Sequence, residues 1–405
     1  MAVAKYKWAF LPRFRANALG WNGSRAGIQR LHEAVKEIQG VAPHDPIAAA
    51  DGAVRLMERI WPAFQGVDTS SGALGETIAW MVDELVPVLV AAPLERASRD
   101  KLLERLWQAI EHDGVEFLWR LEERWGDVCA STETAAQWAD RFLPHVRESW
   151  SGKSPRSYFK GTSICLDSLL ASGRYQELLD LIGSSERLIW PWLRYGILAL
   201  KAQGKLDEAL AYAENCRGLN VPNPSVDAEC EAILLAAGRR EEAYARYAIG
   251  ANEANTGINW FRKIAAKYPE IPPRRILGDL AARSPDPGLW FAAAKTAGLL
   301  DMALEFAKKG RTDPRTLSRA SRHFLKSDPA FAVKVGHLAV ERMFSGEAYK
   351  LEPFELEEAV DRFLAAAARQ GVESKARAAL HRMLAEYDTV PAKFRVVIQR
   401  AAGRD

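Results

Sequence analysis

Arg315, Arg319, Arg322 and Lys326, in the stretch TDPRTLSRASRHFLK, follow one another at spacings of four, three and four residues. On an α-helix those spacings set four cations on one face. Their chemistry is electrostatic: such a stripe grips phosphates or the acidic side of a partner, and an ordinary solvated helix face shows the same pattern. The stripe closes a basic region, residues 255–326, with fourteen Lys and Arg against six Asp and Glu. Inside it, Arg274 and Arg275 follow Pro272 and Pro273 at an expected helix start, where the macrodipole disfavours cations. That mismatch points to an anionic neighbour. A second basic region, residues 1–40, has a net charge of +5 and interleaves its cations with Trp8, Phe10, Phe14 and Trp21. Guanidinium groups beside flat rings can hold phosphates and stack bases. The same rings would equally pin an N-terminal arm onto helices and leave the charges in water.

Residues for catalysis or metal binding are sparser. Gly152-Lys153-Ser154 has the last residues of a phosphate-binding loop, but Arg147 stands where the leading glycine is needed. Pro155 also interrupts the helix that should follow, so a polar linker is expected. Asp68-Thr69-Ser70-Ser71-Gly72 offers hydroxyls without a nucleophile elbow, and is expected to cap the helix beginning near Gly72. The seven histidines form no HExxH pair and no cluster with cysteine, so neither metal nor cofactor is expected. Glu122-Glu123 and Glu357-Glu358 are adjacent in the chain, do not share a helix face, and are expected to be solvated.

These side chains must be positioned by a chain of 405 residues, long for one core. Its 48% hydrophobic and 26% charged residues mark a globular protein rather than a disordered one. A net charge of +3 excludes a uniformly basic nucleic-acid binder and leaves only local patches. Cys129, Cys165, Cys216 and Cys230 form no CxxC pair, which fits reduced thiols in a cytoplasm. The start of the chain lacks an apolar signal core, and IAWMVDELVPVLVAAPL is broken by Asp83, Glu84 and Pro87. A soluble, cytoplasmic protein without membrane contact is expected.

Apolar residues recur at helical period throughout, and no alternating strand pattern stands out. Helices are expected over 24–39, 46–64, 73–91, 98–112, 114–125 and 133–150, with most of the nine tryptophans before residue 151 facing a core. Further on, the run from Trp190 to Gln203 ends at Gly204, and Leu206, Ala209, Leu210 and Ala213 stripe a second helix. The same glycine punctuation recurs at Gly173, Gly238, Gly298 and Gly371. The spacings are 31, 34, 60 and 73 residues, the last two about two units each. The longer gaps have room for helices near 258–267, 274–283, 314–326 and 329–344. A period near 34 residues with a glycine turn signals stacked helix pairs.

GKLDEALAYAE resembles the turn and second helix of a tetratricopeptide repeat, with Gly204, Leu206, Ala209 and Ala213 in its characteristic places. Other copies depart from that pattern: Leu178 stands where alanine is usual, and no unit has the full first-helix signature. The segments VDTSSGALGETI, FKGTSICLDSLLASGRYQELL and PRRILGDLAARSPDPGLWFAAAKTAGLLDMALEFA resemble an uncharacterised bacterial all-helical family. Related regions of that family occur beside SWIM-type zinc fingers, whose cysteine pattern this chain lacks. The resemblances imply a bacterial origin, a helical-repeat fold and an interaction scaffold.

The expected architecture is all-α: a right-handed α-α superhelix, tetratricopeptide-like, over residues 151–405, with a helical N-terminal domain over 1–150. The boundary is placed in the turn-rich SWSGKSPRSY. The expected function is non-enzymatic binding of a partner protein or peptide on the repeat surface. Candidate contacts are Trp192, Arg194, Tyr195, Asn259, Arg262, Arg274, Arg275, Arg315, Arg319 and Arg322, with aromatics as anchors and polar groups pairing charge. The alternative is nucleic-acid binding or processing through the basic stripes at 1–40 and 255–326. An enzyme would need a deep pocket where titratable groups converge, which nothing linear in the sequence supports.

Overall fold

The structure, a computed structural model, describes residues 6–151, 158–185, 189–218 and 221–403. The Gly152-Lys153-Ser154 motif lies outside the described residues. The protein is all-helical, its helices packing in sequence-adjacent pairs as in an α-helical repeat, and no strand forms among the described residues. None of those helices is long and apolar enough to cross a membrane. The chain divides into two compact units, Met1–Arg239 and Arg240–Asp405.

In the first unit most helices fall where the period places them: Ser24–Val41, Pro46–Phe64, Ala73–Ala91, Arg96–His112 and Thr132–Trp150. The expected helix over 114–125 does not form. In its place are two short helices, Trp119–Glu122 and Trp125–Cys129, after a loop in which Glu116 has a left-handed backbone. The loop is organised by Asp113, whose carboxylate accepts the N–H groups of Val115 (3.2 Å) and Leu118 (2.9 Å). Gly126 then brings Trp125–Cys129 against Thr162–Ala171 so closely that a Cβ there would lie 2.4 Å from that of Ala171. Both causes are breaks in helical continuity that the apolar period does not register.

One core runs through this unit, from Trp8 in the N-terminal arm through the long helices to Tyr195 and Ala199 in Trp190–Ala202. Thr132–Trp150 packs along Thr162–Ala171, so residues 150 and 151 lie inside one unit. The expected domain boundary there does not divide the core. Trp8, Phe10 and Phe14 are buried, and Trp8 lies flat on the helix at Gly52, where a Cβ would come within 2.3 Å of its ring. The carboxylate of Glu37 accepts the N–H groups of Ala9 and Phe10, and Arg13 pairs with Glu33. The arm is therefore fastened down by its aromatics; Trp21 alone of the four stays exposed. Asp68 bonds the N–H of Ser70 rather than capping a helix; the N-cap of Ala73–Ala91 is Gly72, without a side-chain acceptor.

All five glycines singled out by their spacing have φ between +72° and +76°. After each, the next N–H returns to the carbonyl five residues back: Arg174 to Leu169, Lys205 to Leu200, Arg239 to Leu234, Leu299 to Ala294 and Val372 to Ala367. Only glycine adopts that left-handed turn without a Cβ clash, which is why it punctuates the repeats. Gly346, unremarked in the sequence, makes the same turn through Glu347 to Arg342. Between them lie Trp190–Ala202 and Leu206–Asn215 in the first unit. The second unit holds Gly257–Lys267, Pro273–Arg283, Leu300–Lys309, Pro314–Phe324, Pro329–Phe344, Pro353–Gln370 and Glu373–Glu386.

Candidate functional site

The ten residues selected from the sequence separate by unit. In the first, Trp192 and Tyr195 are buried, contrary to the expected exposed wall, because their side of Trp190–Ala202 packs on the core. Arg194 is half-exposed and donates to Glu229 at 2.6 Å. In the second unit, Asn259 and Arg262 are exposed on Gly257–Lys267. Arg274 and Arg275 do find an anionic neighbour, but within the fold. Arg274 clasps the carboxylate of Asp301 at 2.8 and 3.0 Å, and Arg275 lies 3.9 Å from Asp279 and over the Tyr244 ring.

The basic stripe is likewise divided. Arg315 chelates Glu355 at 2.5 and 2.8 Å and reaches the carbonyl of Tyr349, and its hydrogen bonds hold the Glu355 carboxyl down to about 2. Arg319 donates to Thr316 at 2.9 Å. Arg322 and Lys326 remain exposed, without an ion pair among the described residues. Asp313 and Pro314 start the helix as expected, the carboxylate accepting the N–H groups of Arg315 and Thr316.

The structure assembles a different site in the first unit, of which only Trp192 was foreseen. A cleft of about 260 Å³ is lined by Glu116, Glu122 and Glu123, by the rings of Trp119, Tyr158, Phe159 and Trp192, and by Lys160. Its mouth is rimmed by Trp119, Tyr158 and Ile189, which are 45%, 51% and 48% exposed. The loop around Asp113 carries Glu116, the short helix Trp119–Glu122 ends in Glu122 with Glu123 as its C-cap, and residues between 158 and 163 supply further wall. Phe159 is seated by contacts to Phe142 and Trp107, and Trp192 by Trp150 at 5.4 Å between centroids.

The three carboxylates are not equivalent. Glu116 accepts the hydroxyl of Tyr158, and Glu123 accepts from Arg120 at 3.0 Å. Glu122 is only 6% exposed and has no hydrogen-bond or ion-pair partner among the described residues, and what remains of its access is through the cleft it lines. Burial pushes its carboxyl up to about 8; the charge of Glu116 adds to this and that of Lys160 opposes it. Lys160 is itself occupied, donating to the carbonyls of Asp113 and Glu111.

Below the cleft, burial lifts Asp167 to about 7, although its carboxylate accepts the N–H of Gly126 at 2.6 Å. The buried hydroxyl of Tyr195 has no partner among the described residues. The expectation that Glu122 and Glu123 are solvated is thus corrected for both, since Glu122 is buried and the Glu123 side chain is mostly covered and paired with Arg120, while Glu357 and Glu358 are exposed as expected.

An unpaired carboxyl at the bottom of an aromatic-walled cleft is built for a cation. Ring faces attract positive charge, and an incoming ammonium or guanidinium supplies the charge that Glu122 needs in order to ionise out of water. Two-carboxylate acid–base chemistry is less well served, because the other two carboxylates already hold donors. All four cysteines are free, and burial lifts the thiols of Cys129 and Cys165 to about 12, which leaves them unreactive. No group of His, Cys, Asp and Glu is placed to hold a metal ion among the described residues. In comparisons with known proteins, the chain matches no family model, no curated protein and no solved structure.

Proposed function

We propose that the protein is a non-enzymatic helical-repeat scaffold that binds a partner protein, with a basic side chain of that partner entering the Glu122 cleft. The observation that carries this is the buried, unpartnered Glu122 carboxyl facing a cleft with four aromatic rings. The volume suits one long side chain rather than a large cofactor, since small-molecule sites start at roughly 300 Å³. The exposed rim of Trp119, Tyr158 and Ile189 favours a protein over a free amine, because aromatic residues around a buried anchor are the usual composition of an interface centre.

The test uses the full chain and a short peptide with one central lysine or arginine, measured calorimetrically at low salt. Binding is expected with the basic peptide and not with its acetylated or citrulline counterpart. Glu122→Gln is expected to weaken it by about tenfold or more, the range of a lost charge-assisted contact. Equal binding of charged and neutralised peptides would sink the proposal. A nucleic-acid reading retains one specific support, the exposed and unpaired Arg262, Arg322 and Lys326. Under it, an oligonucleotide in the same assay would bind with an affinity falling steeply with salt.

A further inference from the structure

A second concave site lies wholly within the second unit and is of opposite charge. A pocket of about 350 Å³ is framed by Lys308, Lys334, Lys375 and Arg382, with His337 and Phe363 among its lining residues. Lys308 comes from the last turn of Leu300–Lys309, Lys334 and His337 from Pro329–Phe344, Phe363 from Pro353–Gln370, and Lys375 and Arg382 from Glu373–Glu386. Four helices thus converge on one cationic pocket.

None of the four cations has an ion pair or a side-chain hydrogen bond among the described residues. All four are exposed, and they differ from Arg274, Arg315, Arg362 and Arg377 of the same unit, which hold carboxylates, in lining one shared concavity. The carboxylates nearest Lys308 and Lys375 in sequence are engaged elsewhere, Glu305 with Lys309 and Glu373 with Arg377. Glu341 lies 4.0 Å from Nδ1 of His337. Val372, at the rim, is the N-cap of the fourteen-residue Glu373–Glu386 helix and gives its first N–H groups no side-chain acceptor. Its dipole adds to the positive field. The remaining lining, Val333, Phe363, Val372, Ala376 and Ala379, is apolar.

We propose that this pocket binds an organic phosphate, with the phosphate oxygens between Lys308, Lys334, Lys375 and Arg382 and an apolar or aromatic body against the half-buried Val333 and Val372. Four unpaired cations around one pocket exceed what a single carboxylate would neutralise and match a multiply charged phosphate. The apolar lining calls for more than inorganic phosphate. The environment of His337 supports the same sign of field. Burial lowers its pKa, Glu341 raises it, and the charges of Arg382 and Lys308 lower it further; from Pro353–Gln370 the facing group is the uncharged ring of Phe363, 5.7 Å away edge-on. A bound phosphate would raise that pKa.

The experiment is calorimetry on the full chain with ATP, inorganic phosphate, acetate and a short single-stranded oligonucleotide at matched ionic strength. Proton NMR of the histidines runs alongside, with the His337 signal identified by its loss in His337→Asn. ATP is expected to bind at least about tenfold more tightly than inorganic phosphate. Reversing charge in Lys334→Glu/Lys375→Glu should cost at least about tenfold in affinity, while Lys334→Arg/Lys375→Arg retains it. The His337 pKa should rise on saturation.

ATP binding no tighter than acetate, or unchanged in the reversed variant with its helicity intact, would overturn the proposal. So would an oligonucleotide that binds more tightly per phosphate than ATP, since that would make the pocket part of a nucleic-acid surface. The outcome is independent of the Glu122 cleft, which shares none of these residues.

Discussion

Glu122→Gln is expected to stabilise the protein at pH 9 by on the order of 5 kcal/mol, taking about 1.4 kcal/mol per unit of pKa difference. The folded carboxyl titrates near 8 and an unfolded one near its ordinary value of 4.5. The folded state therefore holds the proton more tightly, and stability falls as pH rises from about 4.5 through about 8. Glutamine imitates the protonated acid in shape and neutrality. The two proteins should have matching denaturant midpoints below about pH 4.5, and the variant should gain steadily above it. Urea unfolding at pH 4.5 and at pH 9 measures this. A variant no more stable at pH 9 would mean that Glu122 is ionised and satisfied in the free protein, leaving nothing for a cation to supply.

Arg99→Ala is expected to act in the other direction, by about 3–5 kcal/mol at neutral pH, the usual result of stripping a buried charged group from its partners. Arg99 is buried and donates to the carbonyls of Leu89 at 2.6 Å, Ala92 at 2.9 Å and Val128 at 3.4 Å. It closes the C-terminal end of Ala73–Ala91, where helix carbonyls have no intrahelical donors, and ties it to the short helix beside the cleft. Alanine would leave three buried acceptors without donors and remove the packing of the side-chain stem. Lysine keeps the charge but not the fork of donors, and should recover only part of the loss. Denaturant midpoints of the three proteins check the order; an alanine variant within about 1 kcal/mol of the parent would show that the carbonyls find other donors.

The parts of this fold legible in the sequence are those fixed by local chemistry. Helix periods and the glycine turns depend on residues within a few positions of one another, so Gly204 and its four counterparts could be read from spacing alone. The break between residues 113 and 126 could not, because it depends on Gly126 meeting Ala171 and on an aspartate turning its carboxylate onto the following loop. Charge was misjudged for the same reason. Arg315 looked free in its stripe, yet Glu355, forty residues on, takes it. Glu122 belongs by its neighbour Glu123 to a polar surface, yet the fold leaves it only 6% exposed, lining the same cleft as Tyr158 and Phe159 from further along the chain. Trp192 is not the exposed anchor its place in the repeat suggests: it is buried and lines the cleft as part of its wall.

The most direct test of the central claim is the number of protons released when the basic peptide binds at pH 7, obtained by calorimetry in two buffers of different ionisation enthalpy. A carboxyl titrating near 8 is mostly protonated at that pH and must ionise to pair with the cation. Release of about one proton per peptide bound is expected, and none from Glu122→Gln. Binding without proton release, or the same release from the variant, would contradict it.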